Sequence, residues 1–546
     1  MIRMKKKFDT ERLISTIFMV LFAIFVFADG VNAIRFQAMG YDEGYNATVA
    51  ANFMRYGEYR VSYTAAIPFY NIITTGETVI LPTALFYKVF GINAITSNIT
   101  ALIYGALSIL AIWRLFCKSF FGKKGCYYVA TIIMMFLILS DNLFAYISRH
   151  LIGESAALFF LIVACIFLMD YFEKNRVYYI FGAGAMVAFS FLTKSSMIFF
   201  IITFFGLLFW EIFVCRTVCW KHGLFYCAGF FTGFVLLDSF KLAQLGIKKY
   251  VRWWIDEGRN MINQSSGIDI TYSVKDKICY LEEIFNESNN IFCIFMILLP
   301  IVIYACRFIL RTKNASLCKV SEENKSLLSM LFIGVGGASL LIYFIFLGGS
   351  GLVYARRHEV NQLAIRIFCL YILGLVMLKC IELLYNKSIY SANQIRQLII
   401  FAFIIVCGFL LICPIRVVKK NVISYLNKET DFEYTAKLMN EFLNEIEELD
   451  HDATLYCAGW WQEPNISLYL DREILDISNG VKSGENNYLV VGGRISGPTI
   501  SYIESLVNIR LIRVDVSEVD YALYPMYDRN DFEVFAIYKI ISVSEM

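Results

Sequence analysis

The chain has 546 residues, of which 58% are hydrophobic and 16% aromatic, and its mean hydropathy is +0.59. These values exceed what a soluble globular domain carries, so the composition predicts a polytopic membrane protein. The formal net charge of +3 is too close to neutral to indicate a nucleic-acid partner, and the positions of the Lys and Arg residues carry more information than their sum.

The first apolar segment covers residues 13–36 and follows a basic N-terminal stretch, MIRMKKKFDTER. At about 1.5 Å per residue it is long enough to cross a hydrocarbon core about 30 Å thick. Small residues ending at Ala33 would also suit signal-peptide cleavage, but the apolar run is longer than the usual signal-peptide core of about 7 to 15 residues. An uncleaved signal anchor is therefore predicted, with the N-terminus in the cytoplasm and the next loop outside.

Further apolar segments recur along the chain and predict, with the first, about eleven transmembrane helices. The segment 79–92 is short and contains Pro82 and Lys88. If it does not cross, the basic loops fall on the cytoplasmic face, as the positive-inside rule requires, so a re-entrant or interfacial segment is predicted there. The predicted spans after the first are 95–117, 126–144, 153–172, 177–193, 196–214, 223–243, 290–310, 327–347, 361–384 and 398–415.

The same orientation places the loops 37–77 and 244–289, and everything after about residue 416, on the external face. The tail has a different character from the rest of the chain. A polar, helix-like stretch, TDFEYTAKLMNEFLNEIEELD, precedes the strand-like runs ATLYCAGWW, NYLVVGG, IRLIRVDV and FEVFAIYKI. The sequence thus predicts a transmembrane domain over 1–416 and an extracytoplasmic α/β domain over 417–546.

Two adjacent carboxylates, Asp42 and Glu43, stand in the first external loop, within FQAMGYDEGYNATVAANFMRYGEY. Apolar side chains recur every four residues from Tyr45 to Phe53, and Gly57 follows, which indicates a short amphipathic helix on the membrane surface. Asp42 would suit the N-cap of that helix. It would equally suit a general base that takes the proton of an acceptor hydroxyl, so both roles stay open.

Four stretches together resemble the C-type integral-membrane glycosyltransferases: YDEGYNATVAANFMRYGEY, LPTALFYKVFGINAITSNITALIYGAL, SRHLIGESAALFF and FSFLTKSSMIFF. The likeness is to the branch that contains the protein O-mannosyltransferases and the bacterial aminoarabinose transferases. It covers most of residues 10–415, and the acidic pair is its most specific element. The resemblance implies a polyprenyl-phosphate sugar donor and an inverting, metal-independent transfer. It also implies that Asp42 is the general base and that Glu43 lies beside it in the acceptor or donor site.

A departing polyprenyl phosphate is an anion, so cations are expected near it. The external segments SRHLIGE, FLTKSS, GIKKYVRWWIDEGRN and YARRHE supply ionisable side chains on the predicted outer face. The candidate residues for binding the donor phosphate or the substrate are Arg149, Glu154, Lys194, Arg252, Arg259, Arg356, Arg357 and His358.

Structural alternatives stay open for these side chains. Arg149 and Glu154 could form an ion pair with each other, and Lys194 could simply extend its amine to the membrane surface. The loop that carries Arg252 and Arg259 also contains two tryptophans and could be an interfacial anchor.

The chain also departs from the family at one place. The bacterial branch often has a Lys-Pro-Pro element after the first loop, implicated there in holding the lipid phosphate, whereas this chain reads GETVILPTALF and keeps only Pro82. Other cations must then bind the phosphate, or the donor is held differently. Cys215 and Cys219 have no second pair at metal-ligand spacing, so neither a metal nor a cofactor is predicted.

The sequence thus predicts a multi-pass glycosyltransferase of the plasma membrane. Its partners would be a polyprenyl-phosphate-linked sugar, a glycan, lipid or protein acceptor, and membrane lipids, with no nucleic acid. The alternative is a transporter or flippase for a lipid-linked sugar. Asp238 and Lys379, in or near predicted spans, keep it open, although no internal repeat is visible. A third possibility is a receptor that binds glycan through the tail without chemistry.

Overall fold

The structure is a computed structural model. The span predicted at 290–310 and the candidate residues Arg356, Arg357 and His358 lie outside its described residues. So does most of the helix-like stretch predicted at the start of the tail. The described ranges are 2–35, 41–61, 75–140, 142–214, 218–263, 329–339, 359–387, 391–425, 453–457, 466–477, 486–492, 509–518 and 534–542, with a few isolated positions between them.

The chain divides into two units by its internal packing. Unit 1 comprises Met1–Asp29, Ile103–Ser148 and Gly153–Lys419. Unit 2 comprises Gly30–Leu102, Arg149–Ile152 and Lys420–Met546. The tail predicted as a separate domain therefore belongs to the same unit as the loop that carries Asp42 and Glu43.

The described residues are mostly helical, as predicted for a membrane protein. Among the described residues, seven helices are long and apolar enough to cross a membrane, and three shorter ones are also apolar. The total of about eleven crossings stays a prediction. The helices are α1 (Ile2–Arg35), α2 (Tyr41–Tyr56), α3 (Glu77–Phe90), α4 (Ala94–Ser119), α5 (Cys126–Ser140), α6 (Asn142–Arg149), α7 (Glu154–Lys174), α8 (Val177–Thr193), α9 (Ile198–Phe213), α10 (Trp220–Asn263), α11 (Ser329–Ser339), α12 (Glu359–Lys387) and α13 (Ala392–Tyr425).

Aromatic side chains form much of the core of unit 1. Phe120 of the α4–α5 turn stacks on Phe116 and on Tyr371, with ring centroids 6.0 and 5.7 Å apart. Phe204 and Phe332 meet edge to face at 4.7 Å. Offset and edge-to-face geometries are those that aromatic pairs favour. These contacts join α4 to α12 and α9 to α11.

Two glycines let α8 and α10 approach closely. A Cβ atom on Gly184 would lie 2.1 Å from the carbonyl oxygen of Tyr226, and one on Gly229 would lie 2.0 Å from that of Phe181. Small residues at such crossings allow the backbones of membrane helices to touch. The end of α8, which leads directly to Lys194, is therefore fixed against α10.

The structure extends α10 well beyond the span predicted at 223–243. The helix changes direction at Gly246, whose φ of 70° and ψ of 159° are not helical, and then continues to Asn263. Glycine tolerates this backbone conformation, which other residues rarely adopt. The loop predicted at 244–289 thus begins as a helix. After the bend, Tyr250 and Trp254 are four residues apart, as on one face of a helix, and both contact Asp238.

In unit 2, α3 has 14 residues and is about 21 Å long, shorter than a hydrocarbon core of about 30 Å. The tail contains a five-stranded sheet with the order β2-β1-β3-β5-β4. Strand β1 pairs in parallel with β2 and β3, while β5 pairs antiparallel with β3 and β4. Four strands coincide with the predicted runs, and β2 was not predicted. The strands are β1 (Thr454–Cys457), β2 (Ile474–Asp476), β3 (Asn487–Gly492), β4 (Ile509–Glu518) and β5 (Val534–Ser542).

Candidate active site

The acidic pair lies in the first turn of α2, which begins at Tyr41. Asp42 therefore lies inside the helix and not at its N-cap. Carboxylates in the first turn stabilise a helix through its dipole. At the other end, the Gly57 amide donates to the Phe53 carbonyl at 2.9 Å, with Gly57 at a φ of 69°. The predicted helix and its glycine terminus are both present.

The environment of α2 differs from the prediction of one apolar stripe on the membrane surface. Every residue from 43 to 52 is buried, and the helix packs against α3 and the one-turn helix Ile466–Tyr469 of the tail. The small side chains of Ala47, Ala50 and Ala51 allow this packing on several sides. α2 is thus an internal helix of unit 2.

The two carboxylates have different surroundings. Glu43 is 4% exposed, and its Oε1 is paired with Nδ1 of His150. Asp42 is only partly buried. A buried carboxylate needs such a partner, since desolvation without one is costly. His150 was not predicted as a site residue, although it lies in the segment SRHLIGE. The one signal for it in the sequence is its place beside Arg149 in a predicted external turn.

The turn that carries His150 is tied to several parts of unit 2. Asn46 Nδ2 donates to the Leu151 carbonyl at 2.6 Å, and the Leu151 amide donates to Asn98 Oδ1 at 3.1 Å. Thr75 Oγ1 donates to the Ile152 carbonyl at 3.1 Å. These hydrogen bonds fix the turn beside the first half of α2 and so fix the partner of Glu43.

Unit 2 also contains two fully buried tyrosines whose hydroxyls donate hydrogen bonds. Tyr59 donates its hydroxyl to the Thr75 carbonyl at 2.7 Å, and burial, together with the charge of Glu77, raises the pKa of Tyr59 well above its usual value. Burial also raises the pKa of Tyr87, which donates to Ser97 Oγ at 2.8 Å. Both hydroxyls therefore stay protonated at neutral pH and act as hydrogen-bond donors.

The C-terminal end of α2 contacts the tail through ion pairs. Arg55 pairs with Asp471, and Arg60, just beyond the helix, pairs with Glu473 at 2.8 Å. Arg60 also pairs with Glu58. The side chain of Asp471 is 71% exposed, while that of Glu473 is 24% exposed. The helix that carries Asp42 is therefore bound to the tail at its opposite end.

Unit 1 brings two other predicted residues together. Lys194 follows the end of α8, and its Nζ lies 2.9 Å from Oε1 of Glu154 at the start of α7. Both side chains are largely buried. Lys194 thus has a specific carboxylate partner where the sequence also allowed a lysine that only extends to the membrane surface. The ion pair between Arg149 and Glu154 stays a prediction.

A polar cluster surrounds the bend at Gly246 and provides partners for the buried carboxylate of Asp238. Tyr250 donates its hydroxyl to Oδ2 of Asp238, and Trp254 Nε1 donates to the same oxygen at 2.9 Å. Nζ of Lys241 lies 2.9 Å from Oδ1 of Asp238 and 3.7 Å from the centroid of the Trp253 ring. Side chains from both sides of the bend therefore contact the Asp238 carboxylate.

The same cluster extends toward Lys194. Glu257 is buried and hydrogen-bonds to the side chain of Ser195, with Lys241 close enough to interact with its charge. Lys241 was not predicted as a site residue, because a single lysine within an apolar run gives no indication of which side chains it contacts. The helical segment after the bend thus contacts the turn that contains Lys194, through the hydrogen bond between Glu257 and Ser195.

The predicted phosphate-binding residues Arg252 and Arg259 lie elsewhere on this segment. Their side chains are 85% and 72% exposed and flank Asp256 at 3.7 and 3.4 Å. They take no part in the buried cluster around Asp238. In the part of the chain that the structure describes, no group of three or more His, Cys, Asp or Glu residues could hold a metal ion.

Part of the chain matches a protein-family model, and nearly the whole chain is similar in fold to a solved structure. Residues 80–238 match the sequence model of the dolichyl-phosphate-mannose-protein mannosyltransferase family. No curated protein sequence matches the chain. The chain is similar in structure to ArnT from Cupriavidus metallidurans bound to undecaprenyl phosphate, with a TM-score of 0.53 and 14% identity over 96% of this chain and 97% of ArnT. The apo state of the same protein matches with a TM-score of 0.52 and 13% identity over the same shares.

Proposed function

We propose that the chain is a membrane glycosyltransferase of the C-type superfamily and transfers a sugar from a polyprenyl-phosphate carrier to an acceptor hydroxyl. The match of residues 80–238 to the mannosyltransferase family model and the ArnT-like fold support this proposal. The lipid carrier is supported by ArnT, whose matching structure holds undecaprenyl phosphate. In this proposal the reaction takes place at the outer face of the plasma membrane, with the N-terminus in the cytoplasm and the tail outside.

In this proposal the two carboxylates, Asp42 and Glu43, have different roles. Glu43 is buried and engaged by His150, whereas Asp42 is adjacent and more exposed. This contrast carries the assignment of Asp42 as the general base, because a base must reach the acceptor. Asp42 takes the proton of the acceptor hydroxyl, whose oxygen bonds to the anomeric carbon with inversion. The bond from that carbon to the phosphate oxygen breaks, and polyprenyl phosphate leaves as an anion.

The departing phosphate requires cationic groups. We assign this role to the basic residues that the sequence predicts on the external face, among them Arg149, Lys194 and the Arg356–His358 segment. Lys194 already has one carboxylate partner, so its contribution should depend on Glu154.

The first test measures transfer by reconstituted protein from a labelled polyprenyl-phosphate sugar to a panel of acceptors. We expect Asp42→Asn to lower kcat by about 100-fold or more, since general-base catalysis contributes factors of about 10² to 10⁴. Glu382→Gln, which alters an exposed pair with Lys379, is the matched control and should keep full activity. Full turnover by Asp42→Asn would show that another group is the base.

The transporter alternative rested on Asp238 and Lys379. Asp238 is engaged by three neighbouring side chains, and Lys379 forms an exposed pair with Glu382. Neither arrangement favours transport. Release of free polyprenyl phosphate only when acceptor is present supports transfer, whereas lipid-linked sugar that crosses the bilayer unchanged would support transport. Binding of glycan without turnover would support a receptor.

A further inference from the structure

The helical segment that follows Gly246 has one face fixed against other helices of unit 1. Trp254 donates to Asp238 at 2.9 Å, and its ring lies 5.7 Å from Phe191 and 5.2 Å from Phe234, measured between centroids. Glu257, one turn further on, is buried and bonded to Ser195. The rotation of this segment about its axis is therefore set, and its opposite face must point away from the core of unit 1.

That outward face carries an apolar edge, defined by Ile247, Val251 and Ile255. These side chains are 72%, 52% and 52% exposed. They recur every four residues and so line up along one side of the helix. Three exposed large aliphatic side chains in a row are unusual for a surface in contact with water alone.

Beside the apolar edge lies a basic crest, defined by Lys248, Arg252 and Arg259. All three are exposed, and helical geometry places them next to one another along the axis. Lys249 is also exposed, and Asp256 contributes the one opposing carboxylate of this outward surface. Four cations against one anion leave the surface strongly positive.

The segment also lies where a membrane surface is expected. It is the last part of the candidate span Trp220–Arg259, whose 40 residues exceed what is needed to cross the membrane, and it follows the change of direction at Gly246. Its tryptophans, Trp253 and Trp254, are the residues that favour the boundary between lipid and water. A helix with an apolar edge and a basic face at this depth has the properties of a helix that lies in the membrane interface.

We propose that this outward surface binds the headgroups of anionic glycerophospholipids, with the apolar edge among the upper acyl chains. Lys248 and Arg259 are separated by eleven residues, which is about 16 Å along a helix. Cations spread over that length match a row of headgroups better than the single phosphate of a sugar donor. Arg252 and Arg259, predicted from the sequence as donor-binding residues, are thereby assigned to bulk lipid. This proposal does not depend on the proposed reaction.

The test uses full-length protein in vesicles of phosphatidylcholine with and without phosphatidylglycerol. Native mass spectrometry measures the phosphatidylglycerol retained after extraction. We expect the wild type to retain it selectively and the triple variant Lys248→Gln, Arg252→Gln, Arg259→Gln to bind it at least about tenfold more weakly, since each basic group near an anionic surface contributes a factor of about five. The matched control removes three exposed lysines elsewhere, through Lys88→Gln, Lys221→Gln and Lys379→Gln, and should retain the lipid.

A parallel titration with undecaprenyl phosphate distinguishes the two anionic lipids. Unchanged affinity of the triple variant for undecaprenyl phosphate, together with lost phosphatidylglycerol, supports the proposal. Lost undecaprenyl phosphate with retained phosphatidylglycerol would overturn it and return these arginines to the donor site. Equal loss in the control variant, or no selective retention by the wild type, would overturn it as well. Arg252→Glu is a second variant, expected to weaken phosphatidylglycerol binding on its own.

Discussion

At the scale of single residues, the pairing of Glu43 with His150 gives the acidic pair its asymmetry. Two adjacent carboxylates in similar surroundings would compete for the same role. Here one carboxylate is buried against a histidine and the other is left more exposed. Breaking a buried pair from one side is more damaging than removing both partners, because a single change leaves a buried polar group without its partner.

A double-mutant cycle tests this pairing. We expect His150→Leu and Glu43→Gln each to destabilise the protein, His150→Leu by about 3 kcal/mol. The double variant should be less destabilised than the sum of the two single variants, because the glutamine introduced by Glu43→Gln carries no charge to desolvate. Thermal unfolding in detergent measures stability, and the separate effects on KM and kcat show whether Asp42 is displaced. Strictly additive effects would contradict the pairing.

Sequence reasoning located Asp42, Glu43, the helix that follows them and the glycine that ends it, because those signals are local. It missed His150 and Lys241. Glu43 and His150 are 107 residues apart, and no local pattern indicates that two such side chains meet. The partner of Lys194 was missed for the same reason, since it depends on how α7 packs against α8.

At the scale of elements, the crossing of α8 and α10 decides where the turn at Lys194 lies. The sequence predicted both spans from their hydropathy, but not the bend at Gly246 or the helix beyond it. Hydropathy falls after the bend while helical spacing continues, so a hydropathy pattern alone predicts a loop there. The contacts of Trp254 with α8 and with Asp238 hold this segment in place.

We expect Gly229→Ala to disturb this crossing and lower the free energy of unfolding by about 2 kcal/mol, as overpacking in a filled core does. The added methyl group would meet the carbonyl of Phe181, which belongs to the backbone and cannot rotate away. Gly206→Ala is the control, because nothing lies within 4 Å of its Cβ position. Unfolding titrations in detergent compare the two variants, and equal stability would show that the helices are not in close contact.

At the scale of the whole molecule, the tail and α2 belong to one unit. Strands in the tail were predicted from its strand-like runs, but the attachment of the tail to Arg55 and Arg60 was not, because charged pairs between distant segments leave no pattern in the sequence. The two ion pairs differ in exposure, and exposed pairs contribute little to stability. The Arg60–Glu473 pair should therefore matter more than the Arg55–Asp471 pair.

We expect Glu473→Gln to destabilise unit 2 by about 1 kcal/mol and Asp471→Asn by less than about 0.5 kcal/mol. Limited proteolysis of the tail in detergent, followed by the loss of full-length protein, measures the difference. Because charge pairing weakens with ionic strength, added salt should reduce the effect of both variants. A larger effect of Asp471→Asn would reverse this ranking.

The attachment of α2 to the tail has a consequence for biosynthesis. Arg55 and Asp471 are 416 residues apart, and at about 5 to 20 residues per second a ribosome needs roughly 20 to 80 seconds to make the intervening chain. During that time α2 has already been synthesised but lacks its tail partners. A chain that terminates early would leave this helix incompletely covered, and such chains should be recognised by membrane quality-control proteases before they accumulate.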